Sequence, residues 1–96
     1  MYALLVMFTL GPNSRSTAEK IADQFVSAYK SQKGFKSVTF FADQGIGEFG
    51  AMSLWESKED VEAWMEMAGP ELEKALTGIV KGPPVRRLFE VYEPEG

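Results

Sequence analysis

The 96-residue chain contains neither cysteine nor histidine. Without cysteine there is no disulfide framework and no thiolate chemistry. Without histidine the commonest general base and the commonest transition-metal ligand are both missing. Zinc sites, haem held by a proximal His or Cys, and Ser-His or Cys-His nucleophiles are therefore disfavoured. Acid–base chemistry is left to carboxylates, Lys, Tyr and water. Positive charge is also short: ten Lys and Arg stand against fourteen Asp and Glu, a net charge of −4. That balance opposes a general affinity for phosphate backbones, so no nucleic-acid partner is expected. The apolar start, Met1 to Leu10, is too short to span a bilayer. It has no basic flank and no small-residue cleavage site, so it does not read as a signal peptide. A cytoplasmic protein without a membrane partner is the expectation.

What is present is ordinary globular composition. Hydrophobic residues make up 45% and charged residues 25%, which argues against disorder. The length suggests one domain over residues 1–96, with Glu93-Pro94-Glu95-Gly96 as a polar tail. Residues 2–10 form a β-rich run closed by the turn signal Gly11-Pro12-Asn13. Ser16-Thr17-Ala18-Glu19 has the spacing of a capping box. Behind it Ala18, Ile21, Ala22, Phe25, Ala28 and Tyr29 recur on one helical face, and the helix is expected to stop near Lys33-Gly34. Residues 35–43 and 48–56 read as strands joined by the glycine-bearing hairpin Asp43 to Gly47. Ser57 starts a second helix with acids in its first turn. Gly69-Pro70 interrupts that helix and predicts a kink or two short helices. A loop from Gly78 to Pro84 and a last strand from Val85 to Tyr92 complete the order.

The economical fold is α+β: a ferredoxin-like βαββαβ unit, a four-stranded antiparallel sheet with two helices on one face. A sheet with water on its other face should alternate apolar and polar residues. The first strand does not. Tyr2, Leu4, Val6, Phe8 and Leu10 share one parity, and Ala3, Leu5, Met7 and Thr9 the other. The third strand is likewise apolar on both sides, with Phe49, Ala51 and Trp55 against Met52 and Leu54. A second apolar face left wet marks an interface, and a twin of the same chain covers it with closed symmetry. The expected partner is thus a second copy, as a homodimer through the sheet face.

With Leu54-Trp55-Glu56-Ser57-Lys58-Glu59-Asp60-Val61-Glu62-Ala63-Trp64 in place, the chain resembles the antibiotic biosynthesis monooxygenase domain family. The resemblance rests on the Trp-Glu-Ser strand end, the acidic helix start and Trp64. It implies a dimeric α/β barrel and a cofactor-independent monooxygenase acting on a small aromatic or quinol-type compound. It implies no cofactor, and a substrate cavity between sheet and helices. Haem-degrading members carry an Asn on the first strand, a Trp on the second helix and a haem-ligating His further along it. Trp64 matches the Trp, while Thr9 stands near the Asn position and Lys74 near the His. Two of the three are replaced, which argues against haem degradation.

The candidate ligand-binding residues are Thr9, Phe25, Trp64 and Lys74; no catalytic residue and no metal ligand can be named from the sequence. Trp64 and Phe25 are read as opposite aromatic walls, weighed against plain core packing. Thr9 would offer a hydroxyl, although a β-branched residue at a strand end is ordinary. Lys74 would neutralise an acidic group, although a helical Lys normally reaches water. Arg86 and Arg87 are neighbours on one strand, so at most one faces a cavity. Met52, Met65 and Met67 suit an adaptable apolar wall or simple gap-filling. The acidic run from Glu56 to Glu66 reads as a solvated face, since calcium needs several oxygens converging on one point. The chief alternative is a non-catalytic small-ligand binder or regulatory dimer on the same fold. An RNA-recognition motif shares the element order, and Gly47 to Leu54 superficially looks like its third-strand motif. Ala51, however, stands where that motif needs a stacking ring.

Overall fold

Apolar runs punctuated by glycine and proline give six elements in the computed structural model, which describes residues 1–92. They are β1 (Tyr2–Thr9), α1 (Arg15–Lys30), β2 (Phe35–Asp43), β3 (Glu48–Trp55), α2 (Lys58–Leu76) and β4 (Val85–Glu90). The strands lie in the order β2-β3-β1-β4, all neighbours antiparallel. This is the ferredoxin-like arrangement. The last strand closes at Glu90 rather than Tyr92, and the tail at 93–96 lies outside the described residues.

Pairing fixes which residues share a face. Tyr2, Leu4, Val6 and Phe8 lie opposite Trp55, Ser53, Ala51 and Phe49. Both helices pack on this parity. Leu4 and Trp55 meet Tyr29 of α1 and Val61, Trp64 and Ala68 of α2 in one cluster. Leu10, Ala18, Ile21, Phe49 and Leu76 form a second cluster towards the other end. The opposite parity carries Leu5, Met7, Met52, Leu54 and Phe89, half-buried, with Phe41 and Val85 exposed. No helix covers it.

Three local expectations change. The capping box at Ser16 does not form: α1 begins earlier, with Ser14 as N-cap and no side-chain cap bond. Positive φ at Gly11 and Asn13 turns the chain at once, so Ser16 already lies inside the first turn. Glu19 pairs with Arg15 at 3.4 Å, one turn back. The same helix ends at Lys30, three residues before the Lys33-Gly34 stop: Ser31, with ψ of −4°, already leaves helical geometry, and the left-handed turn follows at Gly34. Finally, Gly69-Pro70 does not split α2, which runs as one helix of 19 residues with Pro70 inside. Val61, Trp64 and Ala68 before it and Leu76 after it are all buried, so packing holds the two halves in line. Pro70 is exposed, where water can serve the carbonyl that loses its amide partner.

The second helix starts as expected. The Ser57 hydroxyl accepts from the Asp60 amide at 3.2 Å and donates to the Asp60 carboxylate at 2.9 Å. At the far end of the sheet, Gly47 has φ of 73° and its Cα faces the Gly11 backbone. A side chain there would collide with that backbone, so only glycine lets the hairpin close against the end of β1.

Candidate functional site

Small residues open a space between the helices and the sheet. Ala18 and Ala22 on α1, Ala51 on β3, and Ala68 and Gly69 on α2 face inward, where larger side chains would fill the gap. The result is a cavity of about 380 Å³, within the range of small-molecule sites. Its deep wall is apolar and aromatic: Leu4, Val6, Phe25, Tyr29 and Trp64. Its exposed rim carries Arg15, Glu19, Phe40, Gln44 and Arg86.

The aromatic wall is ordered. The Tyr29 ring stacks on Trp64 with centroids 4.2 Å apart and planes 25° from parallel. Phe25 meets Trp64 edge-on at 6.4 Å and 78°. Such pairs add about 0.5–1.5 kcal/mol each beyond area burial. Behind them, Trp55 donates its indole N–H to Ser53 at 2.9 Å, and Ser53 reaches the Leu4 carbonyl at 3.5 Å. Burial pushes the Tyr29 phenol above its ordinary pKa, while hydrogen bonds with Ser53 and Trp64 pull the other way. The phenol is therefore neutral near pH 7.

Three charged groups stand at the mouth, on two elements. Arg15 and Glu19 form an exposed i, i+4 pair on α1. Arg86 comes across from β4 against Gly69; a Cβ there would sit 3.3 Å from the guanidinium. No salt bridge joins Arg86 to a carboxylate among the described residues. No group of three carboxylates converges among the described residues, and the lining contains Glu19 as its carboxylate. The arrangement can hold a flat apolar ring, with an anionic edge turned towards the rim.

Of the four residues read from the sequence, the structure brings Phe25 and Trp64 together on the cavity wall. Thr9 and Lys74 lie outside the lining. Thr9 shares the uncovered face with Leu5 and Met7, because its parity in β1 is odd. Lys74 is exposed on α2. Of Arg86 and Arg87, Arg86 reaches the cavity; Arg87 turns to the other face and lies over Phe89 at 4.9 Å. Met65 lines the wall, whereas Met52 faces the uncovered side and Met67 is exposed. Sequence reasoning placed Tyr29 on the apolar face of its helix but gave it no site role, and it missed Ser53. A tyrosine and a serine at core positions were the available signal. The RNA-recognition reading also fails on geometry: Phe49 and Ala51 face the helices, not the open sheet.

The pattern of the Antibiotic biosynthesis monooxygenase family matches residues 1–75. The chain belongs to this family. A search of curated proteins finds no match. Among solved structures, this family member is similar to the monooxygenase ActVA-Orf6 of Streptomyces coelicolor, determined with the ligand nanaomycin D. The TM-score is 0.77 at 21% identity, covering 98% of this chain and 89% of that one. It is also similar to SnoaB, a cofactor-independent oxygenase from Streptomyces nogalater, with a TM-score of 0.77 at 15% identity, covering 97% and 94%. At these identities the likeness is one of fold, and it spans the ferredoxin-like unit almost completely. Among the described residues of this antibiotic biosynthesis monooxygenase family member, no helix is long and apolar enough to cross a membrane.

Proposed function

We propose that this protein is a cofactor-independent monooxygenase that oxidises a small aromatic or quinol-type compound in the cavity between α1, α2 and the sheet. The observation that carries the reading is the aromatic box of Phe25, Tyr29 and Trp64 with Arg86 at its rim. Membership of the family, and the fold shared with ActVA-Orf6 and SnoaB, support it. In this chemistry the substrate supplies the electrons. For an anthrone-like ring, a CH₂ group and O₂ become C=O and water, so no external reductant is consumed. The ring must first lose a proton. Glu19 is the carboxylate at the mouth, and the Arg86 guanidinium can stabilise the resulting anion. The apolar wall keeps water from the reactive ring.

The working unit in this reading is a homodimer, closed through the uncovered sheet face into an α/β barrel. Leu5, Met7, Met52, Leu54 and Phe89 supply the apolar surface for it. Thr9, which shares that face, then belongs to the interface rather than the ligand site.

Oxygen uptake tests the activity. Wild-type protein with anthrone-like compounds and hydroquinones should consume about one O₂ per substrate, well above buffer. Trp64→Ala should lower the rate at least roughly tenfold by opening the wall, and Arg86→Gln by a similar factor for substrates that ionise. Uptake equal to buffer across the panel would sink the enzymatic reading. Binding without uptake would favour the non-catalytic ligand binder, which the low polarity of the deep wall also suits.

A further inference from the structure

Two residues at the cavity mouth go against local preference, and they meet. Arg86 stands opposite Val6, on the strand parity that faces the helices. An arginine at an edge strand normally sends its head group out to water. This one lies back against α2 at Gly69. Gly69 is inside that helix, where glycine is a poor former and alanine a good one. A Cβ at position 69 would sit 3.3 Å from the guanidinium, tighter than ordinary van der Waals contact. Glycine therefore leaves the notch in which the guanidinium rests. Local choices that cost stability and converge on one point mark a functional demand.

The charge at this point also runs against that of the chain, which is −4 overall. Among the described residues, the charged groups lining the cavity are Arg15, Glu19 and Arg86, two cations to one anion. Arg15 and Glu19 offset each other at 3.4 Å, which leaves Arg86 as the excess. A guanidinium presents a planar fork of N–H donors that matches a carboxylate through two parallel hydrogen bonds.

We infer that Gly69 and Arg86 form a carboxylate-binding notch, so that the flat aromatic ligand of this cavity carries a fixed acid group. The inference rests on the ligand class proposed above and narrows it. Gly69 is a positioning residue, acting through the guanidinium. Arg86 has five N–H donors, so it can hold the carboxylate and still face an oxyanion formed on the ring.

Calorimetric titration of the full chain with 2-naphthoate and with 2-naphthamide, an uncharged probe of nearly the same shape, reads the notch without turnover. Wild type should bind naphthoate roughly tenfold tighter than naphthamide, the worth of a charge-assisted pair. Arg86→Gln should bring that ratio close to one and leave naphthamide affinity within about twofold of wild type. Gly69→Leu should lower the ratio at least roughly threefold by pushing the guanidinium aside, and Gly69→Ala by a smaller factor. Gly69→Ala should also melt at a higher temperature, because alanine suits the helix, so its lost preference is not lost folding. Equal wild-type affinity for the two probes would overturn the notch and leave the aromatic ligand class standing. A wild-type ratio in Arg86→Gln would overturn it as well, and would move the anchor to Arg15. Wild-type ratios in both Gly69 variants would overturn the positioning role. If neither probe binds, the notch and the ligand class fall together.

Discussion

The two faces of the sheet are both apolar, yet they differ in kind. The helix side is rigid and shaped. It sets Trp55 and Trp64 at 5.7 Å, holds Tyr29 between them and the rim, and leaves a hollow where alanines and a glycine meet. The uncovered side carries Met7, Met52, Leu5 and Leu54, side chains of adaptable shape. Aromatic rings stacked on one another wall a pocket; on the other face the aliphatic side chains have no helix over them. One strand, β1, serves both by strict alternation of its side chains.

The sharpest way to break this contrast is Trp55→Ala. Trp55 is fully buried, so the change should cost about 3–5 kcal/mol in urea unfolding. A loss below about 1 kcal/mol would show that the ring is not a keystone of the helix-side core. Next is Met52→Lys on the uncovered face. If the proposed homodimer forms through this face, the helix-side core should survive with an unchanged far-ultraviolet spectrum, while self-association weakens at least roughly a hundredfold by analytical ultracentrifugation. A variant that still sediments as a dimer would move the interface elsewhere. The smallest effect concerns pH. The folded Tyr29 phenol holds its proton more tightly than the unfolded one, whose ordinary value is 10.0. Its contribution is therefore intact below about pH 10 and is lost as pH rises through the higher folded value. Wild-type stability should fall more steeply above pH 10 than that of Tyr29→Phe. Parallel profiles would mean that the phenol is not held as described.

Much of this was readable beforehand, for physical reasons. Strand parity is local, so two apolar parities in β1 announced two apolar sheet faces. The cap at Ser57 was legible because its partner, Asp60, is three residues away. The false capping box at Ser16 shows the limit of the same logic. The local spacing was right, but the turn at Gly11 and Asn13 started the helix before it. Gly69-Pro70 misled in the opposite way, because a propensity worth about 3 kcal/mol was outweighed by burial on both sides of it. Lys74 and Thr9 were placed by resemblance, not by parity, and both lie off the cavity wall.

By itself the sequence determined the element order, the two-faced sheet, the exclusion of histidine and cysteine chemistry, and the aromatic character of the wall. Each follows from residue type or from spacing along a few turns of chain. Only the tertiary structure decided that Arg86 rather than Arg87 reaches the cavity, that Tyr29 lies flat on Trp64, and that Ser53 holds the Trp55 indole against the Leu4 carbonyl. Those relations connect residues tens of positions apart, and they depend on how helices sit over a sheet, which no local pattern encodes.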